Sequence, residues 1–77
     1  MTIYTNRMEM QEKYKDTLAQ IEVANPKKDG TTYDMGVCFD MLVADSKNVA
    51  EGKPIEFPFA DSGNFDWEQF GADLKEI

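Results

Sequence analysis

YDMGVCFDMLVADSKNVAEGKPIEFPF, residues 33–59, is the stretch on which the architecture depends. Its first half reads two ways. Tyr33, Met35, Val37, Phe39, Met41 and Val43 alternate as a half-buried strand would. Met35, Cys38, Phe39, Leu42, Val43, Ser46, Val49 and Ala50 also share one broad helical face. Length favours the helix. No turn signal appears before Gly52, and roughly 18 residues is long for a strand and normal for a helix. Thr31 with Asp34 three residues later resembles a capping box, with Asp in place of Glu. Gly52 is the C-terminal stop. The expectation is a helix over 32–51. Val37, Met41 and Ala44 lie on its far side, so it is apolar on two sides and central to the core.

The second half reads as a strand over 54–59, with Ile55, Phe57 and Phe59 facing inward. Pro58 has no N–H to give a ladder, which makes this an edge strand or an extended arm. Its free edge needs a partner. Residues 2–5 are short and β-prone and supply one answer. The sheet of another chain supplies the other, and the same edge would also let two copies pair.

Outward from this stretch the chain reads as helix. From 7 to 24, Met10, Tyr14, Thr17, Leu18, Ile21 and Ala24 follow helical spacing on one face, with Asn6 as N-cap. Asn25-Pro26 ends that helix and residues 26–30 form a turn. Beyond the strand, residues 61–64 form a loop. Asn64 or Asp66 caps a last helix over 65–77, whose inner face is Trp67, Phe70, Leu74 and Ile77. The expected fold is α+β and helix-rich, in one domain spanning 1–77.

A chain of 77 residues holds one domain at most. A domain of this size buries only about 60% of its unfolded surface, so docking onto a partner would help it. The single cysteine, Cys38, and the lack of a secretory or transit segment point to the cytoplasm. No apolar run is long enough to span a bilayer. The net charge is −7 and is unevenly spread. Residues 1–33 carry five acids and five bases; residues 34–77 carry ten acids and three lysines. That half repels nucleic acid and anionic membrane; solubility is the plainer use of such a charge, and attraction of a basic protein surface is the other.

Chemistry is scarce. There is no histidine, which removes the commonest general base and the histidine-dependent nucleophile pairs and metal sites. Cys38 falls on an apolar face beside Phe39, as a structural thiol does. The isolated glycines make no phosphate-binding loop. Residues 61–66 imitate a calcium loop only superficially, since ligand positions would fall on Gly63, Phe65 and Trp67. No catalytic residue, cofactor or metal is expected. The candidate partner-binding residues are Ile55, Glu56, Phe57 and Phe59 on the strand, with Asp61, Asp66 and Trp67 beyond it. Aromatic residues here are also the usual material of a core.

Residues 34–59 resemble the closing segment of Gfo/Idh/MocA-type sugar oxidoreductases. The match lies in Ala50-Glu51-Gly52-Lys53-Pro54-Ile55-Glu56-Phe57-Pro58, an apolar helix running through Glu-Gly-Lys-Pro into a strand. The order of the helix at 7–24 and Asp29-Gly30 is similar too. No catalytic residue carries over, because the nucleotide-binding glycines and the catalytic region of that family have no counterpart here. The resemblance implies a detached tail acting as a small non-catalytic subunit or companion of a larger enzyme, with the 54–59 strand completing its partner's sheet. The alternative is a small acidic inhibitor, similar in outline to phage proteins that imitate DNA and mask a basic nucleic-acid-binding surface.

Overall fold

The computed structural model describes residues 3–76, with side chains described from residue 7 onward. Among the described residues four helices follow one another: α1 (Ile3–Lys13), α2 (Lys15–Ala24), α3 (Met35–Ala50) and α4 (Trp67–Leu74). There is no strand among the described residues, so the fold is all-helical and the α+β expectation is corrected. Residues 3–5 open α1 instead of forming a strand, and Thr2 lies outside the described residues.

The helix expected over 7–24 is two helices. The break falls at Tyr14, whose φ −104° and ψ 19° leave the helical region. The ladder survives across it: Tyr14 N donates to Met10 O and Leu18 N to Tyr14 O, both at 3.0 Å. Tyr14 is also tied to α4, through a hydrogen bond from its hydroxyl to Asp73 and an edge contact with Phe70 at 5.0 Å. Asn6 lies inside α1, so it is no N-cap.

α3 begins at Asp34, whose carboxylate accepts from Val37 N at 2.9 Å. Thr31 is not the cap. Its N–H and hydroxyl both bond the Asp29 carboxylate in the preceding turn, where Gly30 takes φ +88°. α3 ends in a Schellman closure. Lys53 N reaches Asn48 O at 2.7 Å, Gly52 N reaches Val49 O at 3.1 Å, and Gly52 takes φ +76°. α4 begins at Asp66, which accepts from Gln69 N at 3.0 Å. α4 is shorter than the expected 65–77, and Ile77 lies outside the described residues.

α3 packs against each of the other three helices. Met10, Leu18, Ile21, Cys38, Phe39, Met41, Leu42, Phe59 and Phe70 form the buried core. Phe39 and Phe70 are 0% exposed and sit edge to face at 6.0 Å. Phe59, Phe65 and Trp67 extend this aromatic set, with rings 4.8–6.0 Å apart. Arg7 lays its guanidinium 4.6 Å from the Phe39 ring and bonds Asp40 at 2.7 Å, which fastens α1 to α3. No helix among the described residues is long and apolar enough to cross a membrane.

The segment over 54–59 is a strap held by side chains. Asp45 on α3 is 1% exposed, and its two carboxylate oxygens accept from Glu56 N at 2.8 Å and Phe57 N at 2.9 Å. Asn48 Nδ2 completes the shell at 3.1 Å. From the other side, Asn25 Nδ2 donates to Pro58 O at 3.1 Å. Gln20 then pairs with Asp61 twice, donating to its carboxylate at 2.8 Å and accepting from its N–H at 3.0 Å. Buried backbone groups must find partners somewhere. Here a buried carboxylate takes the N–H groups that a ladder would have used, and the edge for sheet addition or strand-mediated pairing of two copies is gone.

Candidate docking groove

The residues expected to meet a partner are placed mostly in structural roles. Phe59 is buried, and Phe57 packs half-buried against the core. Ile55 is half-buried, and Glu56 is exposed with its N–H held by Asp45. Asp61 is bound to Gln20, and Asp66 caps α4. Trp67 alone is both part of the core margin and part of an open surface. Its indole N–H donates to Ser62 O at 3.2 Å, which fixes the ring.

That surface is a groove of about 450 Å³ between the C-terminal half of α3 and the outer side of α4. Ser46, Val49 and Ala50 form one wall; Trp67, Gly71 and Ala72 form the other. Among the lining residues, Glu68 lies in the first turn of α4 and Lys75 just past its last. Most of these side chains are small, so the helix backbones themselves shape the groove. Val49 is 37% exposed although helical periodicity assigns it to the core face. Except for Trp67, the residues of this groove escaped the reading of the sequence. The available signal was Val49-Ala50 facing Gly71-Ala72, two pairs too small to fill the space between two helices.

A second, smaller hollow of about 90 Å³ lies between α2 and α3, lined by Lys15, Leu18, Ala19, Glu22, Met35 and Cys38. Burial pushes the Cys38 thiol above its ordinary pKa, and the nearby charges of Glu22 and Asp34 add to this. That is the opposite of what activates a thiol. No group of three or more metal-ligating side chains is arranged to hold a metal ion among the described residues.

The acids of the second half are largely committed to the fold. Asp34 and Asp66 cap helices, and Asp45 holds the strap. Asp40 pairs with Arg7, and Asp61 with Gln20. Asp73 accepts from Lys13, Tyr14 and Gln69, which together hold its carboxyl at about 2. All six aspartates of residues 34–77 thus bond to groups of the same chain.

The strap also bears on the resemblance to sugar-oxidoreductase tails. Residues 50–58 run helix to glycine as in that family, but residues 54–58 are not the strand that would complete a partner's sheet. No family model matches this chain, and comparison with curated proteins and with solved structures returns no match.

Proposed function

We propose that this chain is a non-catalytic protein-binding module of the cytoplasm, a small subunit that docks through the α3–α4 groove. The groove itself carries the reading: a fixed indole, small side chains from both helices, and only two charged residues in its lining, Glu68 and Lys75. Aromatic anchors flanked by shallow apolar walls are typical of docking surfaces. A chain without histidine, whose one thiol is buried, has little with which to run a reaction. The acidic-inhibitor reading draws less support, because the six aspartates of residues 34–77 are bonded within the chain, which leaves fewer carboxylates to imitate a row of phosphates.

Affinity capture from the native source with the wild-type chain and with Ala72→Arg tests this. Arginine at 72 fills the groove from an exposed helix position and leaves the core alone. A bound protein, whether another copy or a larger subunit, is expected with the wild type and lost with the variant. Equal capture by both chains contradicts the reading.

A further inference from the structure

We infer that the occupant of the α3–α4 groove is a second copy of this chain, packed with its α4 antiparallel to the first across a two-fold axis. The inference rests on the reading of this groove as a docking surface. It comes from the pattern of α4 and the two charged residues in the groove's lining.

Glu68 and Lys75 are seven residues apart, about 10 Å along the axis and nearly on the same side of the helix. Both line the groove, both are exposed, and neither forms an ion pair with a described residue. A two-fold interface is self-complementary: if residue i of one copy meets residue j of the other, j also meets i. In an antiparallel pair of α4 helices centred between Gly71 and Ala72, Glu68 of each copy lies opposite Lys75 of the other. Two ion pairs then close the ends of the interface. The residues at the axis are the smallest on the helix, Gly71 and Ala72, so the two backbones can approach closely. The Cβ side of Gly71 turns toward α3, where an added Cβ would meet Ser46 Oγ at 3.8 Å, so Ala72, which is exposed, lies nearer the axis. The second α4 lies along the groove lined by Val49, Ala50, Trp67, Gly71 and Ala72. A parallel pairing would instead set Glu68 against Glu68 and Lys75 against Lys75, which is repulsive.

Charge exchange tests both the partner and the direction. The masses of the wild type, Glu68→Lys, Lys75→Glu and the double variant would be measured by sedimentation, with helicity checked by circular dichroism. The wild type is expected at twice the chain mass of 8.8 kDa. Each single variant places like charges at both ends of the interface and should dimerise at least about tenfold more weakly. Dimerisation should return in the double variant, and in an equimolar mixture of the two single variants, where every Lys again meets a Glu. The mixture covers the case in which the double variant does not fold. A wild type that stays at the monomer mass overturns the inference, as do single variants that dimerise like the wild type. If the wild type is monomeric yet Ala72→Arg still loses a different captured protein, the groove remains the docking surface and only its occupant changes.

Discussion

Tyr14 and Asp73 show how much of this small fold rests on single side chains. Lys13 and the Tyr14 hydroxyl, both bonded to Asp73, hold its carboxyl at about 2, below its ordinary 3.8. Burial, and then the bond to that carboxylate, push the Tyr14 phenol above its ordinary 10.0. A depressed carboxyl stabilises the fold above its unfolded value, so this contribution is lost as pH falls from 3.8 towards 2. A raised phenol has the opposite sign. Its contribution is full below 10.0 and is lost as pH rises past that value. Tyr14→Phe keeps the ring contacts and removes the hydroxyl. It should lower the unfolding midpoint at neutral pH, and it should flatten the alkaline loss more than the acid one, since Lys13 and Gln69 still bond Asp73. Thermal unfolding followed from about pH 2 to about pH 11 reads both limbs. A pH profile superimposable on the wild type would contradict this account of the residue.

Among the elements, the strap over 54–59 depends most on one contact. Replacing Asp45 by alanine leaves the N–H groups of Glu56 and Phe57 without their acceptor, at a cost of about 3 kcal/mol. Asp45→Asn keeps one carbonyl oxygen and should cost less. Urea unfolding gives the energies, and amide exchange at Glu56 and Phe57 should accelerate in Asp45→Ala. Unchanged stability with both amides still protected would show that the strap is held by something else. This contact also marks where the sequence stops being legible. The helical character of 7–24, of α3 and of α4 was readable from apolar spacing, and the ends at Gly52 and Asp66 from local backbone chemistry, but the start of α1 at Ile3 and the break at Tyr14 were not. The strap was not, because alternating Ile55, Phe57 and Phe59 looks the same in a strand and in an extended segment. What separates the two is the destination of the N–H groups, and that is set by Asp45, 11 and 12 residues earlier on another element. A lone acid within the apolar stripe of Cys38, Phe39, Leu42 and Ser46 was the available clue. The start of α3 was ambiguous for a similar reason: Thr31 and Asp34 both suit a cap, and only the turn chemistry of Asp29 draws Thr31 away.

At the scale of the whole molecule, four helices give a body of 38 × 27 × 16 Å, about two helices deep. In so thin a body α3 is the hub, and its C-terminal half lies against the strap on one side and the short α4 on another. Val49 and Ala50, which periodicity assigns to the core, nonetheless line an open groove. The docking surface we propose lies on α3 and α4, and the strap belongs to the scaffold. Amide hydrogen exchange, compared between the chain alone at high dilution and the chain in its assembled state, tests this most directly. Added protection over 46–50 and 67–75, with none over 54–59, is the predicted result. Protection appearing over 54–59, with the groove unchanged, would contradict it.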